Sequence, residues 1–194
     1  MSHYHTTQQL PGRTVRLDDQ GEEYLWLSGT DYLGMGHNEA FKTYLQEGVA
    51  RYGTHFGSSR NNTLRLAVYE EAEQLLAEWV GAKAALTVAS GMWAGQLLMK
   101  VLETVLLPET GTAATFHYAP RVHPALWGST YHPSTETWKQ WSEVTRERIA
   151  ASPTDTVHIV CTDSVASPWV EVYDFQEWLP LSERHTVWLV VDDS

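Results

Sequence analysis

The chain has 194 residues, 43% hydrophobic and 19% charged, which is too apolar for a disordered segment and long enough to bury a sizeable core. Thirteen basic residues against 24 acidic ones give a formal charge of −11, which opposes binding to nucleic-acid backbones and to anionic lipid surfaces. The longest apolar runs, such as Val187 to Val191, are strand-sized, the polar stretch Met1 to Arg16 lacks the apolar core of a secretory signal, and the one cysteine, Cys161, excludes an internal disulfide. A reducing, cytoplasmic setting is expected, with no membrane partner.

Residues 1–40 read as an N-terminal arm or subdomain, with a short strand candidate at Tyr24 to Leu27 and a turn-rich stretch from Ser28 to Gly34. Residues 41–194 read as a larger α/β body. Phe41, Leu45 and Val49 recur at helical spacing after Asn38, with Gly53 as the stop. A loop rich in glycine, serine and asparagine follows, from Gly53 to Thr63. Val68, Ala72, Leu75, Leu76 and Trp79 share one face of the next helix, and Gly81 closes it. The apolar run Ala84 to Ala89 predicts a strand, Ser90-Gly91-Met92 a tight turn, and Leu97, Leu98, Val101, Leu102 and Val105 a further helix. Strands are expected at Ala113 to Tyr118, Thr156 to Cys161 and Thr186 to Val191, with helices near Thr135 to Ala150 and within Asp174 to His185. Pro180 marks the first turn or a kink of the last helix.

Strands alternating with helices argue for a mostly parallel sheet covered on both faces, and such sheets bind ligands beyond the carboxyl ends of their strands. Ser90-Gly91-Met92, Thr162 to Ser167 and Asp192-Asp193-Ser194 are expected at those ends. Gly34-Met35-Gly36 lacks the third glycine of a dinucleotide fingerprint, no P-loop or nucleophile elbow occurs, and the nine histidines form no patterned metal-ligand set. What remains is a helix start at Gly91 suited to a phosphate, and Asp192, a carboxylate closing an apolar strand, where it needs a cationic partner. A phosphorylated cofactor with a protonatable ring nitrogen, pyridoxal 5'-phosphate (PLP), satisfies both.

Six segments carry a family resemblance: Gly29 to Met35, Tyr52 to Arg60, Ser90 to Gln96, His123-Pro124-Ala125, Thr162 to Ser167 and Val190 to Ser194. Their order resembles that of the α-oxoamine synthases, fold-type I PLP-dependent enzymes. The resemblance implies the large-domain part of a fold-type I transferase, PLP as cofactor, amino-acid and acyl-CoA substrates, and a homodimer. It implies that the backbone N–H groups of Gly91 and Met92 hold the cofactor phosphate, His123 stacks on its ring, Ser167 lies near its polar edge, and Asp192 pairs with the ring nitrogen. Arg60 is a candidate for a substrate carboxylate or phosphate, or for a surface salt bridge. The chain departs from the family pattern at Thr30, Met92 and Gly95, where the family has asparagine, an aromatic residue and asparagine, and at Leu64 and Tyr69. The resemblance places the Schiff-base lysine and the C-terminal domain beyond Ser194, and Lys42, Lys83, Lys100 and Lys139 read as surface charges. An aminotransferase on the same fold and a noncatalytic scaffold or dimerisation module are the alternative readings.

Overall fold

The computed structural model describes residues 4–18, 21–106, 114–165 and 173–193, so Ser167 and the segment around it lie outside the described residues. The chain gathers into two compact units, Met1–Ala67 and Val68–Ser194. The division falls after Ala67, so the helix that opens the larger body in the sequence reading goes with the first unit.

In that first unit, β1 (Thr14–Arg16) pairs antiparallel with β2 (Glu23–Leu25), Val15 opposite Tyr24. Helix α1 (Glu39–Tyr52) begins where the Asn38 side chain accepts from the Phe41 N–H, and it stops at Gly53, whose φ of 80° is open to glycine at little cost. Phe41, Leu45 and Val49, which recur at helical spacing, lie on α1 as expected and are all exposed. A stripe is buried only against another element, and a hairpin of three-residue strands offers little to cover it.

The second unit opens with α2 (Val68–Val80), again closed by a glycine of positive φ, Gly81. Its predicted apolar face is not a core face: Leu75 is 66% and Trp79 83% exposed. The predicted strand Ala84 to Ala89 is not a strand. Its firm tie is to α2, where one oxygen of Glu73 accepts from both the backbone N–H and the hydroxyl of Thr87, at 2.6 and 2.8 Å. An apolar run becomes a strand only where a neighbouring strand completes its hydrogen bonds. Ser90-Gly91-Met92 therefore starts a helix without ending a strand. That helix, α3 (Gly91–Val101), is capped by the Ser90 hydroxyl and runs on into a wider turn, Leu102–Leu106.

Three parallel strands form the sheet: β3 (Ala114–Tyr118), β4 (Val157–Asp163) and β5 (Thr186–Asp192), in the order β3-β4-β5. Central β4 is buried from Val157 through Thr162, as a strand covered on both faces must be. Its two faces meet different helices. Cys161 lies against Met99 of α3, whereas His158, on the opposite side of the pleat, bonds to Ser152 just after α4 (Trp138–Ala150). Helix α4 starts at a capping box in which Thr137 and Gln140 each bond the other's backbone. The segment Phe175–Glu183 coils as a 3-10 helix around Pro180, because proline has no N–H and crowds the carbonyl four residues back.

A directed hydrogen-bond chain lies in the core on the α4 side. The Ile149 carbonyl can only accept, so the Ser152 hydroxyl donates to it at 2.6 Å. Ser152 then accepts from Nε2–H of His158 at 2.8 Å, and Nδ1 of His158 accepts from Nε2–H of His117 at 3.1 Å. Both rings are neutral in this arrangement. Burial, followed by His158 and Arg148, holds His117 down at about 4, and burial with neighbouring His185 lowers His158.

Candidate functional site

A cleft of about 400 Å³ opens at the carboxyl ends of β4 and β5, lined by Arg121, His123, Pro124, Asp163, Ser164 and Asp192 among others. It falls where open parallel sheets bind ligands and is of the size of small-molecule sites. Asp163 and Asp192 are the last residues of their strands and partners in register, so both carboxyl groups stand on the α3 side of the sheet. The chain leaving β4 is held there by the Ser164 N–H, which donates to the Asp192 carbonyl at 2.8 Å.

His123 reaches the same place from the loop after β3. Its ring Nδ1 lies 3.2 Å from Oδ2 of Asp192, with the histidine side chain 48% and the aspartate side chain 14% exposed. The same Nδ1 is 3.3 Å from the Ala125 N–H. One ring nitrogen cannot serve both at once: as N–H it donates to Asp192, and as a lone pair it accepts from Ala125. The backbone N–H of His123 donates to both oxygens of Asp163, at 3.0 and 3.2 Å. Burial, then the charge of Asp192, raise the Asp163 carboxyl above the ordinary carboxylate range, and the His123 N–H opposes them.

The turn carrying His123 is also clamped from α3. Nε2 of Gln96 lies 2.9, 3.2 and 3.1 Å from the carbonyls of Pro124, Ala125 and Trp127. Gly95 permits the approach, since a Cβ there would stand 2.6 Å from the Ala125 carbonyl oxygen. Gly95 thus has a packing reason in this chain where the family pattern has asparagine.

Of the residues singled out in the sequence, His123 and Asp192 meet in the cleft. Gly91 and Met92 form the exposed first turn of α3, one turn before Gly95, and are not among the cleft's lining residues. Their N–H groups have no carbonyl acceptor within the helix, which leaves them open to an anion. Arg60 belongs to the first unit, in the turn after Ser58-Ser59. All four lysines are exposed and none lines the cleft. Among the described residues no group of three or more His, Cys, Asp or Glu is placed to hold a metal, and no helix is long and apolar enough to cross a membrane. Asp163, not among the site residues expected from the sequence, carries the same sequence signal as Asp192, a carboxylate closing an apolar strand.

The fold is that of a parallel-sheet α/β protein of the fold-type I kind. It superimposes on serine palmitoyltransferase of S. paucimobilis with PLP and myriocin bound (TM-score 0.75, 16% identity, 98% of this chain and 48% of that one). Sphingomonas wittichii serine palmitoyltransferase matches with a TM-score of 0.72 at 16% identity, over 98% of this chain and 46% of that one. No protein-family model matches the sequence. By sequence the chain is a distant homologue of 8-amino-7-oxononanoate synthases. It is 28% identical to that of Vibrio campbellii over 186 residues, 94% of this chain and 46% of the relative, and 29% identical to that of Aliivibrio fischeri over the same shares. The chain therefore spans about half the length of the curated relatives it matches.

Proposed function

We propose that this chain is the cofactor-binding portion of a PLP-dependent transferase of the α-oxoamine synthase type, which joins an amino acid to the acyl group of an acyl-CoA thioester. The observation that carries the reading is the meeting of His123 and Asp192 at 3.2 Å at the strand ends, within a fold shared with a PLP-bound serine palmitoyltransferase. The residues present fit the cofactor. Asp192 is a largely buried carboxylate in a cleft of suitable size, able to keep a ring nitrogen protonated. His123 offers a half-exposed imidazole face for stacking, and the α3 N-terminus offers the N–H groups of Gly91 and Met92 to the phosphate. When bound, PLP supplies an electron-withdrawing ring that stabilises carbanionic charge at a substrate's α-carbon.

Ser167 near the cofactor's polar edge and Arg60 toward a substrate carboxylate remain parts of the proposal, as do the acyl-CoA and amino-acid substrates, the homodimer and a cytoplasmic location. The test is titration of the chain with PLP, followed by quenching of tryptophan fluorescence. Asp192→Ala should weaken binding on the order of tenfold to a hundredfold, as expected for loss of a charged hydrogen-bond partner. Unchanged affinity in that variant would remove Asp192 from the ring-nitrogen role.

A further inference from the structure

The His123 ring is held from its own backbone, and the residue that holds it comes from another strand. Both oxygens of Asp163 accept the His123 N–H, at 3.0 and 3.2 Å, while the Asp163 backbone is locked in register against Asp192. Downstream, the His123 carbonyl accepts from Leu126 N–H at 2.9 Å, and Gln96 fixes the next carbonyls to α3. Upstream, the Ala119 N–H donates to the Cys161 carbonyl at 2.9 Å, the Val122 N–H to the Ala119 carbonyl at 3.1 Å and the Trp127 indole N–H to the Val122 carbonyl at 2.9 Å, so Asp163 supplies the tie at His123 itself in a turn held on both sides. Two carboxylates side by side at a partly buried strand end repel each other, so an aspartate here is costly unless its charge has a donor to meet. Asp193 and Arg121 line the same cleft, and Arg121 enters the turn with a positive φ of 61°, an uncommon conformation for a side-chain-bearing residue.

We propose that Asp163 is a positioning residue of this site, anchoring the His123 backbone to the strand ladder that carries Asp192 and so setting where the imidazole stands over a bound ring. The role rests on the PLP reading for its ligand, but not for its geometry. The carboxylate acts through the histidine and need not touch the cofactor.

The test compares Asp163→Ala and the isosteric Asp163→Asn with the unvaried chain. NMR of the ligand-free protein follows the ring nitrogens of His123, assigned by their loss in His123→Gln. In Asp163→Ala the ring signals should move toward those of Asp192→Ala, because the contact between ring and carboxylate is lost. PLP affinity should fall about tenfold, the equivalent of one hydrogen bond. Asp163→Asn keeps one acceptor oxygen and should restore part of both. If Asp163→Ala does not fold, the ring signals of Asp163→Asn decide alone. Ring signals identical to the unvaried chain in a folded variant would overturn the positioning role. Failure of the unvaried chain to bind PLP would overturn the cofactor reading, while the ligand-free spectra still decide the role of Asp163.

Discussion

Acidification should destabilise the second unit through His117. This ring is 6% exposed on β3 and faces His158 of β4, with Arg148 of α4 contributing charge and Ser152 closing the hydrogen-bond chain. Folding lowers the group from 6.5 to about 4, so the unfolded chain takes up a proton that the folded one refuses across that window. Stability is fully present above the unfolded value and is lost as pH falls toward about 4, by about 1.4 kcal/mol per pH unit and about 3 kcal/mol in total from this residue. His158, lowered for the same cause, adds in the same direction. The assay is urea unfolding at a series of pH values, with His117→Gln as the comparison. The glutamine amide can donate to His158 Nδ1 but cannot titrate, so the variant's stability should fall less steeply by about one proton across the window. Parallel curves for the two proteins would refute the assignment of a neutral, proton-refusing His117.

Two further outcomes follow from the packing. Gly95→Ala places a Cβ 2.6 Å from the Ala125 oxygen and should cost about 1–3 kcal/mol by pushing the His123 turn off α3, read as a lower Tm and weaker PLP binding; an unchanged Tm would mean that the turn is not so clamped. Cys161, fully buried and pushed up to about 12 by burial and the charge of Glu103, should resist a thiol reagent in the native protein and react at once in denaturant. Rapid native labelling would show that the sheet opens around it.

Local rules read well where the deciding residues are close in sequence. Asn38 and Gly53 bound α1, and Thr137 with Gln140 starts α4, because caps and glycine stops act within a few residues. The strand ends at Asp163 and Asp192 are local too, since an apolar run that stops at a carboxylate is visible in the chain. What escaped the sequence depends on partners elsewhere. Whether Ala84 to Ala89 is a strand is decided by a neighbour, and whether Leu75 and Trp79 are core is decided by what covers α2. His117 stands in no local motif, and its bond is to His158, 41 residues on and across the sheet. The site was legible in the same measure: His123 and Asp192 stood in motifs, but the Asp163 link to the His123 backbone spans 40 residues and leaves no pattern.

Parallel pairing of Asp163 with Asp192 has a bearing on which substitutions the protein can absorb. The two carboxyl groups do not set their own spacing. The hydrogen-bond ladder from Val157 opposite Thr186 to Asp163 opposite Asp192 sets it, with Val187 and Val190 of β5 packed, partly buried, against the core. A slip of one residue turns a side chain to the other face of a sheet. A change deep in β5 that loosened this alignment would carry Asp192 away from His123 while every residue of the cleft kept its identity. Mutational tolerance at this cleft is thus inherited along the whole strand, and a variant with an intact set of lining residues can still have lost the cleft.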